Sequence, residues 1–391
     1  MLSDFERRAT VELAERFAEQ EIKPRGAEDD IAERVPVELV KKLGKLGLLG
    51  GVIPEEYGGA GLDYRTYCEL ILALSVADQN LAAFATFPSG LVGTGLWQYG
   101  TEEQKQRWLR PLCEGKIIGA AGVTEPRSGS DVAGCDTRYE RDGDGFIING
   151  AKAYITNAGI GSFVTVFATA DKALGRAGIS AFIIPTEAEG VTYIPYKDKL
   201  GFRTFQTGDL LLHNVRVGSD ALLGAEGQGF AIAMSAVERG RLGVALRATG
   251  LTLSCLELSK RYAKERIVFG HPIANFQLVQ SKITDMTIGA ESSKLMVYEL
   301  GEQLQAGKRA RELACMTKLH TTDICQRSAS DAVQIHGANG TAAEFQVSRH
   351  YRDAKVLQIV EGSNDLHRAV IAEIELGLRS SGERPAQPAA A

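Results

Sequence analysis

Between roughly residues 119 and 228 the apolar residues stop recurring every three or four positions and gather into short runs instead. This change of period constrains the fold more than any other feature of the chain. Phe146-Ile147-Ile148, FVTVF at 163–167 and ISAFII at 179–184 are rich in β-branched and aromatic residues. Asp142-Gly143-Asp144-Gly145, Gly159-Ile160-Gly161 and Pro185 bound them as turns. No helix-length crossover joins these runs, so an antiparallel sheet or barrel is expected rather than a doubly wound parallel sheet.

On both sides the helical period returns. Ser3 and Glu6 form a capping-box signature, and Phe5, Ala9, Leu13 and Phe17 then recur on one face until Pro24. Pro36 suits the first turn of a helix presenting Leu39, Val40 and Leu43, and another helix is expected from about Tyr64. After about Phe230, helical stretches are expected at 230–265, 274–306, 309–336 and 342–356, with a last helix to about Leu378. The final SSGERPAQPAAA is small, polar and Pro-containing, as in a disordered tail. The expected architecture is therefore multidomain α+β. It places an N-terminal helical domain at 1–118, a middle antiparallel, barrel-like β domain at 119–228, a C-terminal helical bundle at 229–379 and a tail at 380–391.

Composition excludes several classes. A net charge of -5 with interspersed signs provides no basic footprint for nucleic acid or a membrane surface. No apolar run is long enough to span a bilayer, so membrane insertion is not expected. The six cysteines form no CxxC pair, and the histidines do not fall at metal-ligand spacing, so neither a disulfide framework nor a metal site is expected. The N-terminus is charged from Asp4 onward without a signal-type apolar core, which points to a cytoplasmic protein. GxGxxG, Walker, GxSxG and HExxH patterns are absent, so any redox cofactor would be held without a Rossmann fingerprint.

Three segments set polar residues among apolar ones. VTEPRSGSD at 123–131 exposes backbone N–H groups and hydroxyls suited to a flavin edge or a phosphate, although it reads equally as an ordinary polar turn. Tyr154-Ile155-Thr156-Asn157 ends a strand run with an aromatic and a hydroxyl. Val360-Glu361-Gly362-Ser363 puts a carboxylate among apolar residues, where desolvation would raise its pKa toward that of a useful base.

Taken in order, these segments resemble the acyl-CoA dehydrogenase family over nearly the whole chain. TEPRSGSD at 124–131 is similar to the family's flavin loop, Tyr154-Ile155-Thr156 to its WIT motif, and Glu361-Gly362-Ser363 to its base motif. Tyr262, Arg266, Phe269, Gly270, Pro272, Ile273, Phe276 and Gln277 fit the subunit-crossing motif, and QIHGANG followed by RDAK fits a second signature. The resemblance implies FAD-dependent dehydrogenation of an acyl-CoA thioester to the trans-2-enoyl thioester, with Glu361 as the base. It implies FAD contacts from Ala121, Val123, Thr124, Gly129, Ser130, Tyr154, Ile155 and Thr156. Arg266, Phe269, Gln277, Gln334, Gly337 and Ala338 would reach a partner subunit's FAD, and Ser363 and Asp365 the adenosine half. Substrate contacts would come from Ser130, Glu238, Arg241 and Gly362. It further implies an electron-transfer flavoprotein as electron acceptor and a homotetramer.

The sequence also departs from the family pattern. Gly240 stands where some members carry their base, which leaves Glu361 without a competitor. No arginine occurs between Arg65 and Arg107, where glutaryl-type members place one near the acyl pocket, so a dicarboxyl substrate is not expected. Val360 replaces a tyrosine beside the base, which suggests a wider pocket for branched or cyclic acyl groups. A carrier-protein thioester dehydrogenase, an acyl-CoA oxidase and a non-catalytic member remain alternative readings.

Overall fold

The computed structural model describes residues 3–378, so the tail expected at 380–391 lies outside the described residues. Helices come first: α1 (Asp4–Phe17), α2 (Gly26–Ile31), α3 (Val37–Lys45), α4 (Tyr64–Ala77), α5 (Gln79–Thr86), α6 (Gly93–Tyr99), α7 (Glu102–Gln104) and α8 (Arg110–Cys113). Ser3 and Glu6 close the capping box at the start of α1. The apolar face expected on α1 is only half right. Phe5 is 76% exposed and Ala9 is exposed, whereas Ala14 and Phe17 are buried. Only the C-terminal half of α1 reaches other apolar side chains; the first turns extend past them into solvent. Pro36 caps α3 from one position before its first residue, and the Asp63 carboxylate accepts from Thr66 N–H to start α4 at Tyr64.

The middle segment is an eight-stranded sheet: β1 (Gly119–Gly122), β2 (Arg138–Asp142), β3 (Gly145–Thr156), β4 (Phe163–Thr169), β5 (Ile179–Pro185), β6 (Val191–Pro195), β7 (Thr207–Val217) and β8 (Leu222–Leu223). Its order is β6-β7-β3-β2-β4-β5-β8, with β1 on β4. Most pairs are antiparallel, but β1 runs parallel to β4, Gly119 facing Phe163. The expected antiparallel pairing holds for most of the sheet, with β1–β4 and a single β2–β4 contact, Arg138 facing Thr169, as the parallel exceptions. The long loop and the β2–β3 hairpin between β1 and β4 provide the crossover that a parallel pair requires. β3 slips register against β7 between Lys152 and Ile155. Such an irregularity re-aims a side chain, and here Tyr154 has φ 58° and is 70% exposed.

The chain returns to helices with α9 (Gly229–Glu265), α10 (Gln277–Gln305), α11 (Arg311–His336), α12 (Gln346–Leu357) and α13 (Asn364–Glu375). A hairpin of β9 (Ile267–Val268) and β10 (His271–Pro272) separates α9 from α10. α9 is buried on almost every side over its middle turns because α4, α5, α10 and α11 surround it. Leu70, Ile71 and Leu74 of α4 share one core with Leu246 and Leu251 of α9 and Val297 and Leu300 of α10. The two helical segments are thus fused, with the sheet's own core, built on Phe146, Phe182 and Leu210, beside them. All six cysteines are buried and none is in a disulfide. Among the described residues no helix is long and apolar enough to cross a membrane, and no His/Cys/Asp/Glu group could hold a metal.

Candidate functional site

Glu361 lies in the tight turn between α12 and α13 with φ 55°, a left-handed conformation uncommon outside glycine. Ser363 ends the turn by accepting from Leu366 N–H as the α13 cap. The carboxylate projects onto α9 at Gly240. A Cβ added there would meet Oε1 at 2.6 Å and Oε2 at 2.9 Å, so only glycine leaves room for it. Glu361 is half-buried as a residue, but its Oε2 is shielded from solvent and has no hydrogen-bond partner among the described residues. Burial pushes its pKa up to about 7, against the opposing pull of Arg241, Lys318 and Arg247.

Gly240→Ala is expected to displace the carboxylate and lower kcat roughly 10- to 100-fold. Unchanged single-turnover kinetics in that variant would show that the contact is unimportant.

Lys318, on the inner face of α11, was not singled out by sequence reasoning. Its ammonium is buried and donates to Gln358 O at 3.0 Å, Gly362 O at 2.9 Å and Asn364 Oδ1 at 2.9 Å. Two of these acceptors bracket Glu361, so Lys318 ties both sides of the turn to α11. Burial lowers its pKa to about 7. The available signal was a lysine among small residues and threonines (Ala314, Thr317, Thr321, Thr322), a pattern unlike a solvated helix face. Arg241 Nε donates to Glu361 O at 3.4 Å, while burial holds His367 down at about 3 and hence neutral.

A second group forms on the sheet. Ala121 and Val123 lie at the end of β1, followed by Thr124, and Ala153 N–H donates to Thr124 O at 2.9 Å, binding the loop to β3. Glu125 is buried beneath this loop, where it accepts from Lys152 Nζ at 2.7 Å, Asp136 N at 2.6 Å and Thr137 N at 3.0 Å. Burial alone would raise its carboxyl, but Lys152 and these donors hold it down at about 2. The Glu125–Lys152 pair is a second feature the sequence reading missed. Gly129 and Ser130 are exposed, Thr124 and Thr156 half-buried, Ile155 buried, and Tyr154 packs edge-on to Tyr196 at 5.1 Å.

The remaining expected contacts lie elsewhere. Arg266, Phe269, Gln277, Gln334, Gly337 and Ala338 are all exposed. They gather at the far end of α9, where Tyr262 stacks on His336 at 4.2 Å and its hydroxyl accepts from Asn339 at 3.1 Å. Roughly 39 Å of helix separates Gly240 from Arg266. One cofactor at Glu361 cannot also touch these residues of the same chain. Asp365 is exposed on the first turn of α13. Among the residues expected at the substrate, Arg241 and Gly362 border Glu361, and Ser130 is on the sheet loop. Glu238 Oε1 accepts at 3.0 Å from the N–H of Ala310, the residue that precedes α11. A cavity of about 320 Å³ beside Arg261, Tyr262 and His336 is remote from Glu361.

The chain matches acyl-CoA dehydrogenase domains along almost its whole length: the N-terminal domain over residues 4–116, the middle domain over 120–215 and the C-terminal domain over 227–376. It is 37% identical over 360 residues to a 3-(aryl)acrylate reductase of Clostridium sporogenes, covering 92% of this chain and 96% of that protein. It is also 37% identical over 356 residues to the mitochondrial short-chain specific acyl-CoA dehydrogenase of Homo sapiens, covering 91% and 86%. A glutaryl-CoA dehydrogenase of Mycobacterium smegmatis solved with FADH2 superposes with a TM-score of 0.91 at 31% identity, covering 98% of this chain and 97% of that one.

Proposed function

Because this chain belongs to the acyl-CoA dehydrogenase family, we propose that it is an FAD-dependent enzyme that removes hydrogen from Cα and Cβ of an acyl-CoA thioester, with Glu361 as the base. The observation that carries this reading is the Glu361 carboxylate. It is shielded, unpartnered at Oε2 and raised to about 7, as a base working near neutral pH needs.

The sheet group fits FAD. Tyr154 is an exposed aromatic held in a strained backbone conformation beside two half-buried threonines, and the Asn157 side chain next to them has neither Nδ2 nor Oδ1 bonded among the described residues. Such a set presents donors and an aromatic wall to a flat polar-edged ring. Thr124, Thr156 and the neighbouring backbone would hold the isoalloxazine, with Ala121, Val123, Gly129, Ser130, Tyr154 and Ile155 around it. When bound, FAD supplies the acceptor for the β-hydride.

The protein's own contribution is positional. Glu361 takes the α-proton on its carboxylate, Gly240 leaves the space for that carboxylate, and Lys318 holds the turn. No acceptor takes the Glu361 N–H among the described residues. That donor is therefore available to polarise the thioester carbonyl and acidify the α-carbon. Because the base must be ionised, kcat/KM is expected to fall about tenfold per pH unit below about 7 and to level off above it. A flat profile from pH 5.5 to 8.5 would reject Glu361 as the base. Anaerobic titration with acyl-CoAs tests the function as a whole, because productive binding bleaches the flavin.

The same reading includes a homotetramer and an electron-transfer flavoprotein as acceptor. Ile267 (55%), Phe269 (89%), Leu278 (82%), Ile288 (63%) and Leu295 (70%) are exposed along the β9–β10 hairpin and α10, a run that suits burial by other subunits. Together with the length of α9, it supports Arg266, Phe269, Gln277, Gln334, Gly337 and Ala338 as contacts to a partner's FAD. Light scattering is expected to give four chains per particle; a monomer retaining full FAD would reject the shared site.

A further inference from the structure

Arg247 stands two turns after Gly240 on α9. Gly240, Gly243 and Arg247 fall at i, i+3 and i+7 and therefore share one helix face. Gly240 meets the Glu361 carboxylate and Gly90, and Gly243 packs against Thr86. Next along that face, the Arg247 guanidinium lies over Phe202 at 4.9 Å and Phe205 at 6.0 Å. The Phe205 ring lies 5.5 Å from Phe84 and 6.1 Å from Phe87. Glu361 and Arg247 thus stand at two ends of one strip walled by α5, the segment after it and an aromatic cluster.

Arg247 is only 4% exposed, yet no carboxylate lies within ion-pair distance of it among the described residues. Its hydrogen bonds all go to Gln79: Nε to the carbonyl at 2.9 Å and to Oε1 at 3.2 Å, and Nη2 to Oε1 at 2.7 Å. Nη1 is left without a partner among the described residues. Of the three acids that act on it, Asp353 and Asp78 are already engaged, and Glu361 stands at the other end of the strip. Asp353 accepts from Gln79, Asn80 and Phe202 N–H, and Asp78 pairs with Arg349 at 3.0 Å. Asp353, Glu361 and Asp78 attract the guanidinium from beyond contact distance, but burial outweighs them and lowers its pKa to about 10. A buried guanidinium with no carboxylate in contact remains costly. An anion that enters the strip offsets it.

We propose that Arg247 is the specificity residue of the acyl pocket and binds the distal carboxylate of a short dicarboxylic acid carried as its monothioester. This deepens the dehydrogenase reading and rests on it. The length follows from the helix. A helical side chain leans back toward the N-terminus, so the guanidinium lies about one turn, roughly 5 Å, beyond the level of Gly240. Three extended bonds cover about 3.8 Å, which places the second carboxylate about four to six carbons from the thioester. The expectation against a dicarboxyl substrate rested on residues 65–107; the fold brings an arginine to the acyl strip from α9 instead.

The test compares glutaryl-CoA with butyryl-CoA on the FAD-loaded enzyme and on Arg247→Gln and Arg247→Lys, by anaerobic flavin bleaching and kcat/KM. Wild type is expected to favour glutaryl-CoA at least 10-fold. Measured at pH 8.5, where Glu361 is ionised, Arg247→Gln should reduce the glutaryl-to-butyryl ratio of kcat/KM 30-fold or more, and Arg247→Lys should retain part of the preference. Taking the ratio of two substrates on one preparation cancels any loss of folded protein. A preference for butyryl-CoA in wild type, or an equal fall for both substrates in Arg247→Gln, overturns the assignment and leaves the dehydrogenase intact. If neither thioester bleaches the flavin, the dehydrogenase reading fails and this one with it.

Discussion

Glu361→Gln is expected to retain FAD and its fold, fail to bleach with any acyl-CoA, and turn over roughly 10³- to 10⁴-fold more slowly than wild type. Glutamine preserves the shape of the side chain against Gly240 but cannot accept the α-proton. The same change should stabilise the protein. The Glu361 pKa in the folded protein, about 7, is above the ordinary 4.5. The folded state therefore binds the proton more tightly than the unfolded chain, and stability falls as pH rises from about 4.5 to about 7. Above that range the ionised carboxylate costs about 3 kcal/mol, which the neutral amide avoids. Thermal unfolding at pH 8 is expected to show a higher Tm for the variant, with the difference vanishing near pH 4.5. A variant that bleaches normally, or that loses stability at pH 8, would contradict the assignment on two separate grounds.

Lys318→Met is expected to have the next largest effect. The ammonium satisfies three acceptors in a buried site, and methionine satisfies none, so Gln358 O, Gly362 O and Asn364 Oδ1 lose their shared donor. Gln358 O keeps the Asn364 N–H and Asn364 Oδ1 keeps the Thr322 hydroxyl, so Gly362 O bears most of the loss, roughly 1–3 kcal/mol. Loosening the turn that aims Glu361 should lower kcat about 100-fold, with less effect on KM. The pH profile separates this from general instability. Lys318 pulls the Glu361 pKa down, so its removal should move the midpoint of kcat/KM upward. Loss of Tm with an unmoved midpoint and unchanged kcat in the folded fraction would reduce Lys318 to a structural residue.

Much of the architecture was legible because it depends on local rules. The change from a helical period to short β-rich runs located the sheet, and the helices at 229–265, 277–305 and 311–336 lie within a few residues of the expected stretches. The parallel β1–β4 pair was not legible, because nothing in either run specifies which of several distant strands it joins. On α1 the period was right but its burial was not: Phe5 is 76% exposed, since packing depends on where α1 leaves its neighbours.

The site divides in the same way. Contiguous motifs marked Glu361, Thr124 and Thr156, because the turn or loop that holds each is encoded within a few residues. Lys318, Gly240 and Arg247 act on the 358–364 turn, or on the space beside it, only after α9 and α11 have packed around α12 and α13. Glu125 and Lys152 are 2.7 Å apart in the fold but belong to different strands' surroundings in the sequence. The sequence by itself determined the period of each segment and marked Glu361 as the candidate base. Tertiary packing decided that the Glu361 carboxylate is desolvated, that a lysine fixes its turn, and that Arg247 is buried on the same helix face as Gly240. The physical reason is that desolvation and charge balance depend on neighbours distant along the chain, which only the folded structure assembles.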